Sequence, residues 1–224
     1  MLSKAREKLV RSLHTTKGRR ESGLCLVEGE KNVSEAGESI EFTFTVEETD
    51  FYKQLVDTVT PQPIAAVARI PQHDEAAITA LPTIVVLDGV QDPGNVGSIL
   101  RLCLAFKASL VLIESADPSS PKVIRSSAGA FFRVPWIDVP RGEAVDFIAS
   151  LSRPIYRLET PKGSAAGLKE FSREKGAILI AGSEGQGIKL DIAGTPLTIA
   201  HESALESLNV AHAVAIALSS RYSS

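Results

Sequence analysis

Apolar positions along the chain recur in two rhythms, and each rhythm names an element. Ala5, Leu9, Val10 and Leu13 stand among charges at helical spacing, which predicts a helix from Ser3 to Leu13. His14 to Ser22 is polar and basic and reads as a loop or short turn. Gly23 to Gly29 is a short apolar strand running into a glycine turn, and Glu30 to Ala36 has helical composition. Phe42 to Val46 alternates strictly, as a half-buried strand does. Asp50 to Thr58 is a further helix with Asp50 placed as its N-cap, and Ile64 to Ala68 a further strand. Pro71 to Pro82 is polar and acidic with a proline at each end, so it reads as a linker.

The second part opens on the stretch around which the chain is organised. Thr83 to Leu87 is a continuous apolar run stopped by Asp88-Gly89. The turn formers Asp92-Pro93-Gly94-Asn95 follow, then Val96, Ile99, Leu100, Cys103 and Leu104 at helical spacing. Ser109 to Ile113 is a second apolar run. Strand, turn, helix and strand in about thirty residues make a βαβ unit, which implies a parallel sheet with its chemistry at the carboxyl ends of the strands. Beyond it the pattern predicts a loop at Asp117 to Pro121, a short helix at Lys122 to Ala130, and an amphipathic helix at Gly142 to Leu151. Strands are expected at Pro154 to Leu158, Ala177 to Ala181 and Pro196 to Ala200. A last helix, Glu206 to Arg221, is apolar on nearly every side and must be enclosed by the fold or by a second subunit. The class is therefore α/β, divided into a small N-terminal domain, 1–75, and a larger one, 76–224.

Composition sharpens this picture at two points. The 224 residues carry two cysteines, Cys25 and Cys103, both in apolar surroundings, which fits a reduced, cytoplasmic protein. No apolar core follows the charged N-terminus as a signal peptide would require, and the apolar stretch at Val210 to Leu218 is too short to span a bilayer. The net charge of −3 hides an asymmetry. Residues 1–20 hold Lys4, Arg6, Lys8, Arg11, Lys17, Arg19 and Arg20 against Glu7 alone, a balance of +6, so the remaining 204 residues sum to −9. A basic arm on an acidic body points to a polyanion met at one place.

Three stretches carry candidate chemistry. The first is Asp92 to Arg101, where Asn95 fits a helix N-cap and Arg101 a surface arginine. The second is Gly182-Ser183-Glu184-Gly185-Gln186-Gly187, directly after a buried strand. Its G-x-x-G-x-G spacing is neither the dinucleotide fingerprint nor a phosphate loop, yet its glycines let backbone approach a ligand closely around a carboxylate. The third is Glu206-Ser207-Leu208-Asn209-Val210 at the start of the last helix. Ser207 stands where an N-cap belongs, which puts Asn209 inside the first turn, and a helix N-terminus aimed at a ligand accounts for both. His14, His73, His201 and His212 have no ligand spacing, so no metal is expected.

In this order the three stretches resemble the three motifs of the SpoU family of RNA 2′-O-ribose methyltransferases, of the SPOUT class. The first is LDGVQDPGNVGSILRLCLAF, the second LIAGSEGQGI and the third ESLNVAHAVAIAL; KVIRSSAGAFFRVP between them also looks like the family. RSLHTTKGRRESGLCLVEGEKNV resembles the accessory RNA-binding domain of many members. The resemblance implies a parallel sheet whose C-terminal segment threads a loop as a deep trefoil knot, S-adenosylmethionine as methyl donor, and a homodimer with the site at its interface. Matched residue by residue, it implies catalytic roles for Asn95, Arg101, Glu184, Ser207 and Asn209. It places donor contacts at Gly182, Ile199, Leu208 and Leu158, and substrate contact at Arg125.

The chemistry expected is methylation of a ribose hydroxyl, a poor nucleophile until its proton leaves. Arg101 is the residue expected to activate it; since free arginine stays protonated, either a substrate phosphate helps it relay the proton or it only stabilises the developing oxyanion. Arg11, Lys17, Arg19 and Arg20 are expected to hold phosphates. Ribosomal RNA is the expected substrate. The rival readings are a transfer-RNA methyltransferase and a catalytically silent RNA-binding or ribosome-assembly protein of the same fold. Two stretches depart from the family pattern: Ile199-Ala200-His201-Glu202-Ser203 lacks its usual proline and glycine, and Arg157-Leu158-Glu159-Thr160 lacks its small residues.

Overall fold

The structure is a computed structural model and describes residues 1–160, 166–171, 176–202, 204 and 206–223. The chain begins α1 (Lys4–Ser12), α2 (Thr16–Ser22), β1 (Leu24–Glu28), α3 (Glu30–Ala36), β2 (Ile40–Thr45), α4 (Tyr52–Val56) and β3 (Ile64–Arg69). It continues α5 (Glu75–Thr79), β4 (Thr83–Asp88), α6 (Pro93–Ala105), β5 (Ala108–Ile113), α7 (Pro121–Ser127), β6 (Trp136–Asp138) and α8 (Arg141–Ser150). Then come β7 (Ile155–Leu158), β8 (Ala166–Gly167), β9 (Ala177–Gly182), β10 (Thr195–Thr198) and α9 (Val210–Ser223). These elements form two compact units, Met1–Pro71 with Asp117–Arg133, and Gln72–Ala116 with Val134–Ser224.

The first unit is an antiparallel sheet in the order β1-β3-β2. Its core gathers Val10 and Leu13 of the first helix region, Leu26, Phe44, Ala65 and Val67 of the strands, and Tyr52, Leu55 and Val56. Four local readings change here. His14 to Ser22 is not a loop: Thr15 caps α2 by accepting from Gly18 N at 3.0 Å, and Gly23 ends it in the left-handed conformation. Asp50 does not cap α4; Thr49 Oγ1 accepts from Phe51 N at 3.2 Å instead. The expected linker contains α5, capped by Asp74, and its Ile78 is fully buried in the second unit's core.

The fourth change is at the domain boundary. Asp117–Arg133, expected within 76–224, packs with the first unit, where α7 lies on β1. Three ion pairs explain the return: Arg19 with Asp117 at 2.5 Å, Glu28 with Arg125 at 3.0 Å, and Glu35 with Arg133 at 3.6 Å. Ser119 joins the first of them, its Oγ accepting from Arg19 Nε at 3.2 Å.

The second unit is a sheet in the order β6-β5-β4-β9-β7-β10-β8, parallel at every pairing among the described residues. Its central strands β4 and β5 are buried from end to end, as their unbroken apolar runs require. On one face Ile84, Val86, Val111, Ile178 and Ile180 pack against Ala144 and Ile148 of α8 and Leu151 at its C-cap. Successive strand residues point to opposite faces, and α6 lies against β5 and α9 against β9. The short strands β6 and β8 were not anticipated. In register, Asp88 faces Gly182, Ala181 faces Leu158, and Leu158 faces Leu197. The carboxyl ends of β4, β9, β7 and β10 therefore share one edge of the sheet.

Candidate active site

At that edge the chain leaves β9 through a turn that only glycine permits. A side chain at Gly182 would bring its Cβ within 2.1 Å of the Gly187 carbonyl carbon and 2.4 Å of Ile188 N. Gly187 has φ +65° and donates its N–H to Ser183 O at 2.8 Å, closing the turn on itself. Glu184 rides on this turn, exposed.

A second carboxylate fastens the chain beyond the turn. Asp88, 1% exposed at the end of β4, accepts from Lys189 N at 2.5 Å and Leu190 N at 2.8 Å. Its charge is met by Arg141 Nη2 at 2.7 Å. Arg141 also pairs with Glu114, and the two carboxylates hold its guanidinium above its ordinary pKa. Sequence reasoning passed over Asp88; the available signal was a charged residue ending a fully apolar strand.

The turn leads into a pocket of about 660 Å³, within the size range of small-molecule sites. Its walls come from β7 and the residues after it, the 182–188 turn, Ile199 and His201, and 206–213. All four residues expected to hold the donor, Leu158, Gly182, Ile199 and Leu208, line it, as do Glu184 and Ser207. Arg157, Glu159, His201 and Glu206 also line it and were not among the site residues expected from the sequence. Ser203, in the stretch that departs from the family pattern, lies outside the described residues.

Three of the five expected catalytic residues meet in one network. Asn95 Nδ2 donates to Glu184 Oε1 at 2.7 Å. Asn209 Nδ2 donates to Asn95 Oδ1 at 3.0 Å and to Glu184 Oε1 at 3.3 Å. Val210 N, at the N-terminus of α9, is the third donor to Glu184 Oε1, at 3.4 Å. One carboxylate oxygen thus joins side chains 89 and 25 positions from Glu184 in sequence.

The capping roles expected of these residues are exchanged. Asp92, not Asn95, caps α6, accepting from Asn95 N at 2.8 Å, which leaves the Asn95 amide free for Glu184. Asn209, not Ser207, caps α9: its Oδ1 accepts from Ala211 N at 3.0 Å and His212 N at 3.3 Å. Asn209 thus has a structural task and a site task at once, one on each end of its amide.

Arg101 is exposed on α6 and is not joined to this network or to the pocket lining. The cations expected to hold RNA divide. Arg11 and Lys17 are exposed, Arg11 over the Phe51 ring at 5.9 Å and Lys17 beside Glu21 at 3.8 Å. Arg20 is exposed. Arg19 is not available: it is 2% exposed and donates to Asp117, Ser119, Thr16 Oγ1 and Leu13 O. It builds the first unit instead of reaching a phosphate. Arg125 is half-exposed and tied to the buried Glu28. Among the described residues no group of three His, Cys, Asp or Glu side chains is gathered to hold a metal, and no helix is long and apolar enough to cross a membrane.

A parallel sheet with a ligand-sized pocket outside the carboxyl ends of its strands is the arrangement in which open α/β sheets carry their binding sites. The chain belongs to the SpoU rRNA methylase family, whose sequence model matches residues 82–219. It is 33% identical to a TrmH-family protein from Porphyromonas gingivalis of solved structure, each chain covered in full, with a TM-score of 0.86. It is 29% identical over 231 residues to the 23S rRNA (guanosine(2553)-2′-O)-methyltransferase RlmP of Bacillus subtilis strain 168, covering 92% of this chain and 91% of the relative. The AdoMet-bound rRNA methyltransferase from Sinorhizobium meliloti shares the fold, with 23% identity, coverage of 99% and 95%, and a TM-score of 0.84.

Proposed function

We propose that this SpoU-family methyltransferase transfers a methyl group from S-adenosylmethionine to a ribose 2′-hydroxyl of ribosomal RNA. The observation that carries the reading is the Asn95–Glu184–Asn209 network at a glycine-bounded pocket. The pocket suits the donor chemically. Leu158, Ala181, Ile188, Ile199 and Leu208 offer apolar walls to a nucleoside, and the lining carboxylates suit its cationic end. When bound, the donor supplies an electrophilic methyl group.

The chain's residues then have the following roles. Glu184, oriented by the two asparagines and by the N-terminus of α9, fixes the polar wall against which the ribose sits, so positioning does much of the work. Ser207 orients the hydroxyl. Arg101, exposed on α6, meets the RNA at the reacting ribose and stabilises the developing oxyanion, a phosphate of the substrate taking the proton. Arg11, Lys17 and Arg20 contribute salt-sensitive phosphate contacts from the first unit, an accessory RNA-binding domain. The finer features of the family belong to this reading: a trefoil knot in the C-terminal segment, a cytoplasmic homodimer, and an interface that takes up the exposed side of α9, where Ile216 and Tyr222 are each 40% exposed.

Mapping of ribose methylation in ribosomal RNA from cells with and without the protein tests the reading. One position should lose its methyl group and regain it with the wild-type chain but not with Arg101→Ala. An unchanged ribosomal RNA map with a lost transfer-RNA methyl group would move the substrate; no change in either would favour the silent protein.

A further inference from the structure

The pocket carries more acid than the network beside it uses. Three lining residues are carboxylates, Glu159, Glu184 and Glu206, while Arg157 is the sole lysine or arginine among the described lining residues. Arg157 is already matched, its Nε 2.8 Å from Glu159 Oε1 and its Nη1 donating to Ile192 O at 2.7 Å. Glu184 is met by neutral donors, two amides and a backbone N–H, so its charge is hydrogen-bonded but not cancelled. Glu206 is exposed and has no hydrogen bond or ion pair with another described residue. The pocket is therefore lined by two carboxylates that no cation among the described residues balances.

Given the donor reading above, on which this rests, the imbalance has a chemical use. Methyl transfer forms the ribose O–C bond and breaks the C–S bond; sulfur keeps the electron pair and the hydroxyl proton leaves. The nucleoside enters as a sulfonium cation and departs as a neutral thioether. The two differ by one methyl group and one charge, and apolar walls distinguish them little. A carboxylate distinguishes them by charge. We propose that Glu206, together with Glu184, makes the pocket read the sulfonium charge, so that the spent product is held less tightly than the donor.

The test is calorimetric binding to the full chain, without RNA, of S-adenosylmethionine, S-adenosylhomocysteine and sinefungin, a donor analogue with an amine in place of the sulfonium. Glu206→Gln is compared with Glu202→Gln, which removes the same charge from an exposed residue that does not line the pocket. Glu206→Gln should weaken both cationic ligands about fivefold, less at high salt because the side chain is exposed, and leave the thioether within about twofold. Glu202→Gln should change none of the three by more than about twofold. Equal weakening of all three ligands by Glu206→Gln would overturn the proposal, since the contact would then lie with a group they share. No change for any ligand, or the same loss of selectivity from Glu202→Gln, would overturn it too. Thermal melting of each variant separates these outcomes from misfolding, and Glu206→Asp should restore the selectivity in part. A wild-type chain that binds none of the three would instead remove the donor reading itself.

Discussion

Glu28 of the first unit and Glu184 of the second are built alike and left in opposite electrostatic states. Each carboxylate gathers donors from distant parts of the chain. Glu28 accepts from Thr58 Oγ1 at 3.1 Å, Gln62 N at 2.9 Å and Arg125 Nε at 3.0 Å. Its side chain is 4% exposed, and the arginine cancels its charge. Glu184 collects two amides and a backbone N–H, stays exposed, and meets no cation of the described chain. A carboxylate whose work is to hold the fold is neutralised where it is buried, because an unpaired charge there is costly. One left charged at the mouth of a pocket keeps its field for something that arrives later.

The contrast can be broken by experiment. Glu28→Ala removes the partner of Arg125 and strands two further donors, so it should cost roughly 3 kcal/mol of stability in urea denaturation. Glu184→Ala should slow single-turnover methyl transfer about a hundredfold while changing the unfolding free energy by no more than about 1 kcal/mol. If it unfolds as readily as Glu28→Ala, the two carboxylates are the same kind of residue and the contrast fails. Asn209 sharpens the point because its amide serves both ends. Asn209→Ala should lose about 1 kcal/mol of stability with the helix cap. Asn209→Ser should recover that stability but not the rate, since it restores the cap oxygen and not the amide donor to Glu184.

The smallest effect concerns pH. Burial alone would raise the Asp117 pKa, but the hydrogen bonds from Ser119 and Arg19 and the Arg19 charge outweigh it and hold the carboxyl below its ordinary value. The folded state therefore prefers the ionised form. Its contribution is complete above the unfolded carboxylate pKa and is lost as pH falls through the lower, folded value. Acid denaturation should be shallower in Asp117→Asn over that window.

Much of this was legible before any coordinates. Leucine, isoleucine and valine runs located β4, β5 and β9, and the glycines of 182–187 marked the turn at the end of β9. What misled was local reading of polar residues. Seven basic side chains near the N-terminus looked equivalent, yet Arg19 turns inward to Asp117 while Arg11 and Arg20 stay at the surface. Ser207 looked like a cap, but the helix starts three residues later, where Asn209 already faces Glu184. Asp88 looked like the end of a strand and is the anchor of residues 189 and 190.

The sequence by itself determined the rhythm of elements, the parallel sheet and the family, because periodicity, turn chemistry and motif order are properties of neighbouring residues. Tertiary structure alone decided which charge is cancelled and which is kept. The partners of Arg19, Glu28, Asp88 and Glu184 lie 98, 97, 53 and 89 positions away. The field at a carboxylate depends on what folding brings beside it, and no stretch of chain carries that information alone.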